Sequence, residues 1–274
     1  MAKRAICVGI NKFAKYPQFT LQGCVNDAKD MAALCKSLLG FKASEVTTLT
    51  DSQATKAAIM SKLKAAVADA KAGKLSYIVF SWSSHGTQMT DKSGDEPDGM
   101  DEAFVPYDIA EKGGDWDPAH IITDDEFHDL FQQLPESVLL EVYLDTCHSG
   151  SGLRGAEFSL HAPRPRYVAP PSGQGTIPQR DVSGFALARG TEAPATHQIL
   201  WSGCKANQTS ADAYFNGRYN GAFTYYFVKV MKDTQNKGSR KAVVDQMRAQ
   251  MKGKFSQVPQ LESNASNRKT AVAL

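Results

Sequence analysis

Two segments of this chain are built alike. An apolar run rich in β-branched and aromatic residues, Leu75 to Trp82, leads into Ser83-Ser84-His85-Gly86, and a second, Val138 to Leu144, leads into Asp145-Thr146-Cys147-His148-Ser149-Gly150. Runs of this kind are the buried strands of an α/β sheet. If the two strands lie side by side, a histidine and a cysteine emerge at the same sheet edge, as thiol-based acyl chemistry requires. A cysteine attacks as its thiolate, so it needs a neighbour that takes its proton and later supplies one to the leaving amine; an imidazole does both. His85 is the candidate rather than His148, because neighbours on an extended chain face opposite sides; His148 is expected to support the turn. The glycine after the histidine lets the Gly86 N–H approach a carbonyl, and with the Cys147 N–H it forms a candidate oxyanion hole. The competing readings are a buried inert thiol and a structural histidine. The joint placement after two core strands favours the pair.

The rest of the chain follows the same rhythm. Ala5 to Ile10 is a first strand, Val46 to Leu49 a second, and Gln198 to Ser202 another. A helix with Met31, Leu34, Leu38 and Leu39 on one face is expected after an Asn26 or Asp27 cap, with Gly40 as its stop. Further helices are expected from Thr50 or Asp51 to about Ala72, Thr123 to Gln133, Gly221 to Lys232 and Arg240 to Lys252, with a final strand near Thr270 to Leu274. Asp91 to Asp117 is polar, acidic and glycine-rich and is expected to be mostly loop. From Ser151 to about Thr196 prolines and glycines break regular structure, including Pro163, Pro165, Pro170, Pro171 and Pro178. The chain therefore divides into a larger part, 1–150, a linker, 151–196, and a smaller part, 197–274, which together form one domain. With 274 residues and 42% hydrophobic composition it can bury a substantial core.

The 31 basic and 29 acidic side chains nearly cancel and form no like-charge block, which argues against nucleic acid or an anionic membrane as partner. Five cysteines, Cys7, Cys24, Cys35, Cys147 and Cys204, form an odd set without a CxxC pair, so a reducing, cytoplasmic setting is expected. The apolar stretch after Met1-Ala2-Lys3-Arg4 is too short for an export signal.

The blocks Ala5 to Asn11 (AICVGIN), Leu21 to Lys29 (LQGCVNDAK), Trp82 to Gln88 (WSSHGTQ), Asp95 to Glu102 (DEPDGMDE), Asp145 to Gly150 (DTCHSG) and Ser202 to Ala213 (SGCKANQTSADA) occur in an order that resembles the metacaspases and orthocaspases of the caspase-like clan of cysteine peptidases. The resemblance implies an α/β caspase-like fold with a central six-stranded, mainly parallel sheet flanked by helices. It implies His85 and Cys147 as a dyad, an acyl-enzyme (thioester) route, cleavage after Arg or Lys in protein or peptide substrates, and a monomer needing no cofactor for the chemistry.

A physical reading agrees with the basic preference. Asp145 lies two positions before Cys147 and shares its face, and Asp27 matches the acidic position of the GCxND block; two carboxylates in one pocket bind a guanidinium by charge-assisted hydrogen bonds. Ser83 is a further candidate for that pocket. The alternatives are a helix cap for Asp27 and loop amides for Asp145. Asp101, Asp124 and Asp125 resemble three positions of the calcium site of calcium-dependent members, making Ca2+ a candidate activator. Leu153-Arg154 stands where a fourth aspartate is expected, and acids in a first helical turn are also favoured by the helix dipole. Ser84 replaces a glycine common in relatives.

Self-processing is expected in the linker, where Arg154, Arg164, Arg166, Arg180 and Arg189 are candidate sites. The competing classes are a catalytically silent caspase-like scaffold that binds partners, and an acyl transferase using the same thioester.

Overall fold

The computed structural model describes residues 2–91, 99–147, 163–173, 196–205 and 208–273. In chain order the strands and α-helices are β1 (Ala2–Gly9), α1 (Cys24–Ser37), β2 (Val46–Thr50), α2 (Lys56–Lys71), β3 (Leu75–Ser83), β4 (Gly86–Thr90), β5 (Met100–Phe104), β6 (Glu111–Lys112), β7 (Asp115–Trp116), β8 (Ile122–Thr123), α3 (Asp124–Phe131), β9 (Leu139–Asp145), β10 (Arg164–Pro165), β11 (Gln198–Ser202), β12 (Ala211–Phe215), β13 (Arg218–Gly221), α4 (Ala222–Thr234), α5 (Arg240–Met251), β14 (Gln260–Glu262) and α6 (Ala265–Lys269).

The main sheet has six strands in the order β14-β11-β9-β3-β1-β2. Every pairing is parallel except β11 with β14. Parallel strands are buried on both faces, and this sheet divides the core in two. Ile6, Val8, Phe80 and Trp82 face a cluster with residues of α2 and α3. Cys7, Val79, Tyr143 and Trp201 face a cluster with residues of α1, α4 and α5. The expected six-stranded, mainly parallel sheet flanked by helices is the observed architecture.

Differences from the sequence expectations have local causes. The segment from Asp91 to Asp117 is not mostly loop: β5 pairs with β4, and all five of its residues are buried, Asp101 and Glu102 among them. Helix α1 starts at Cys24 after Gly23, so neither Asn26 nor Asp27 caps it; the Asp27 side chain is used elsewhere. Helix α2 starts later than expected, where the Thr55 hydroxyl accepts from Ala58 N–H. The last sheet strand is β14 rather than Thr270 to Leu274; among the described residues of that stretch only a bridge from Ser239 to Ala271 forms after α6, and Leu274 lies outside the described residues. Most of the 151–196 linker lies outside the described residues, but 163–173 is described and contributes β10, an edge strand that tolerates its proline.

Candidate active site

The β3–β9 register pairs Ser83 with Asp145 at the carboxyl ends of the two central strands. His85 and Cys147 follow each of these by two residues, so the fold brings them to the same edge, where ligands of open α/β sheets bind. His85 is buried between the rings of Phe13 and Phe19. Its Nε2 lies 2.7 Å from the Phe19 carbonyl. A carbonyl only accepts, so Nε2 carries the proton and Nδ1 holds the basic lone pair. Among the described residues that Nδ1 is buried without a hydrogen-bond partner. Burial lowers the His85 pKa to about 4, only partly offset by the Phe19 carbonyl, so the ring is neutral at physiological pH. Among the described residues no hydrogen bond links His85 to Cys147. The Cys147 sulfur instead accepts from Ser210 N–H and donates to Ser210 O at 3.4 Å. His148 lies outside the described residues.

Beside this pair is a pocket of three buried carboxylates, Asp27, Asp145 and Asp212, occupied by the guanidinium of Arg166 from the linker. Arg166 Nη1 donates to Ser83 Oγ at 2.7 Å and to the Asp145 carbonyl at 3.0 Å, and is 3.2 Å from the Asp145 carboxylate. Nη2 donates to Asp27 at 2.7 Å and to Asp212 at 3.0 Å. The side chain is completely buried.

Each carboxylate is also held by the frame around it. Asp27 accepts from Ser83 Oγ, Asn220 Nδ2 and Gly221 N–H; Asp145 accepts from Ser210 Oγ and from both the N–H and hydroxyl of Thr224; Asp212 accepts from Gln22 and Gly23 N–H. These donors hold the carboxylates alongside the guanidinium. The balance of charge still shows: burial, reinforced by Asp145, pushes Asp27 up to about 6 despite the guanidinium alongside. Burial opposes the charge on Arg166 as well, but the carboxylates of Asp145, Asp27 and Asp212 outweigh it and raise its pKa well above the ordinary value. Burial likewise keeps Cys24 a neutral thiol.

The backbone of Arg166 is placed as firmly as its side chain. Gly86 N–H donates to the Arg166 carbonyl at 2.9 Å, and Arg166 N–H donates to Ser210 O at 3.1 Å. The carbonyl of a buried arginine thus rests on one of the two expected oxyanion donors. No bond from Cys147 N–H to it is found among the described residues.

The structure therefore brings together Asp27, Ser83, His85, Gly86, Asp145 and Cys147. Asp212, Ser210, Asn220, Gly221 and Thr224 were not anticipated; Asp212 lies within the SGCKANQTSADA block, but only the β12–β13 hairpin reveals that it turns toward Asp27. Ser84 points away and donates to Val105 O at 2.8 Å, which accommodates the replacement of glycine. The β5–β8 pairing of Ala103 with Thr123 carries Asp101 toward the α3 end that bears Asp124 and Asp125. Among the described residues no three acidic, histidine or cysteine side chains are grouped to hold a metal ion. The Leu153-Arg154 position lies outside the described residues.

Residues 2–271 match the model of the caspase domain. The chain is 31% identical to Metacaspase-1 of Coccidioides immitis over 94% of its length and 61% of that protein, and 31% identical to Metacaspase-1 of Ajellomyces capsulatus over 94% and 79%. This chain belongs to the metacaspase family of caspase-domain peptidases. Among solved structures, a Geobacter sulfurreducens protein aligns over 99% of this chain and 100% of its own at 26% identity and a TM-score of 0.69. Caspase-1 of Spodoptera frugiperda aligns over 99% and 88% at 12% identity and a TM-score of 0.61, a likeness of fold alone. This metacaspase domain spans just over three fifths of the Coccidioides protein's length. Among its described residues no helix is long and apolar enough to cross a membrane.

Proposed function

We propose that this protein is a cysteine endopeptidase that cuts after arginine, and more slowly after lysine, through Cys147 and His85, and that its own linker is one of its substrates. The observation that carries the proposal is Arg166: its guanidinium fills the carboxylate pocket while its carbonyl sits on Gly86 N–H. In this mechanism the free Nδ1 of His85 takes the Cys147 thiol proton. The thiolate adds to the arginyl carbonyl, and the oxyanion is held by Gly86 N–H and, as the carbonyl becomes tetrahedral, by Cys147 N–H. The imidazolium gives its proton to the leaving amine as the C–N bond breaks, leaving a thioester that water hydrolyses. Substrates are protein or peptide chains and the enzyme acts as a monomer. No step passes through calcium, and Asp101, Asp124 and Asp125, the expected ligands of an activating calcium ion, are not grouped to hold one among the described residues.

The contacts favour arginine over lysine. Two η nitrogens reach acceptors on separate walls of the pocket, whereas a single ammonium can satisfy only part of that set. The kcat/KM for arginyl peptides should exceed that for matched lysyl peptides by about tenfold, the worth of one hydrogen bond to a charged group. Aspartyl peptides should not be cut at all. Equal cleavage after Arg and Asp would reject the pocket.

The pH dependence follows from Asp27. Its pKa is about 6 with a guanidinium bound. Removing that cation raises it further, because the guanidinium favours the ionised form. Binding an arginine therefore expels a proton from the carboxylate cluster, and affinity falls as pH drops through about 6. The KM for arginyl peptides should rise on this acid limb, and a flat KM would count against Asp27 as a partner of the substrate.

A further inference from the structure

The segment in the cleft is anchored at two points, one on each side of the Arg166–Tyr167 bond. On the acyl side, β10 pairs antiparallel with β12, Arg164 opposite Asp212 and Pro165 opposite Ala211. On the leaving side, Tyr167 bridges in parallel to Gly86, and Val168 N–H donates to Gly86 O at 3.0 Å. Burial alternates along this stretch: Pro165 is exposed, Arg166 buried, Tyr167 intermediate, Val168 buried and Ala169 exposed. That is the period of an extended chain presenting every second side chain to the protein. Arg166 enters the carboxylate pocket, and Val168, at 6% exposure, enters the apolar cluster shared with α2 and α3.

We infer that the cleft has a second specificity subsite, an apolar slot for the second residue beyond the scissile bond, occupied here by Val168. This rests on the peptidase reading above and extends it from one recognised side chain to two. Gly86 links the two halves: its N–H holds the carbonyl to be attacked, and its C=O holds the strand that leaves. A side chain seated in the slot fixes the register of the bond over Cys147. The preferred substrates are extended segments with arginine, then any residue, then a branched apolar residue of about the size of valine. A charged side chain at that last position is desolvated without a partner and is rejected.

The test uses the whole wild-type chain with internally quenched peptides containing Arg-Pro-Arg-Tyr-X, where X is Val, Ala or Asp, and a matched set with the second arginine replaced by Asp. The kcat/KM should be highest for Val, about tenfold lower for Ala and about a hundredfold lower for Asp, as expected of a shaped apolar pocket. Equal rates for the three X residues, with cleavage still dependent on arginine, would overturn the second subsite and leave the arginine reading intact. Cleavage indifferent to the arginine, or none of any arginyl peptide, would overturn that reading and the subsite with it.

Discussion

Gly221→Ala should remove arginyl-peptide cleavage while leaving the fold in place. The backbone at Gly221 has φ −67° and ψ 136°, which any residue adopts, so the substitution carries no conformational penalty. The obstacle is space. A Cβ at this position would lie 2.1 Å from Asp145 Oδ2 and 2.4 Å from Arg166 Nη1. The carboxylate and the guanidinium cannot both keep their places. Two charge-assisted contacts of roughly 1.5–3 kcal/mol each are lost, which corresponds to a fall in kcat/KM of about a thousandfold. Gly238→Ala is the control, since its nearest neighbour would be the Ala242 Cβ at an ordinary 3.6 Å. Wild-type kinetics in Gly221→Ala, with arginyl peptides assayed beside Gly238→Ala, would show that the pocket holding Arg166 is not where substrates bind.

Cys147→Ala and His85→Ala should each abolish turnover, by a factor on the order of 10⁴ to 10⁶, because residues that act as one catalytic unit lose most of its effect when either is removed. His85 is set up for its part before any substrate arrives. The Phe19 carbonyl holds its proton on Nε2, and burial keeps the ring neutral to about pH 4, so Nδ1 stands ready as the base. The hydrogen bonds to Ser210 give the Cys147 thiol a resting position beneath the linker segment. For the thiol proton to reach Nδ1, the hydrogen bond from the Cys147 thiol to Ser210 O must first break. Substantial activity in either variant would remove that residue from the mechanism.

The parts of the site legible in the sequence are those set by strand periodicity. Ser83, His85, Asp145 and Cys147 follow two apolar runs at matched spacing, and the β3–β9 register delivers them together. Asp27 was legible only through its motif; its role depends on Gly221 and Asn220, nearly two hundred residues away in sequence. Asp212 was hidden for a related reason, since the turn of the β12–β13 hairpin is what carries it over the start of α1. Strand β5 was hidden by its own acids: Asp101 and Glu102 read as loop residues, yet tertiary packing buries both. Arg166 was one of five linker arginines with equal claims, and nothing local distinguishes it. Complementarity to three distant carboxylates does, and that exists only in the folded chain.

The central claim is that Cys147 cuts the bond after an arginine seated among Asp27, Asp145 and Asp212. The most direct test is intact-mass analysis of the purified wild-type chain and Cys147→Ala, each incubated with calcium and with chelator. The account predicts fragments 1–166 and 167–274 in the wild type and an uncut chain in Cys147→Ala. The same cut in both proteins, or a wild-type chain whose Arg166–Tyr167 bond stays whole in both incubations, would contradict it.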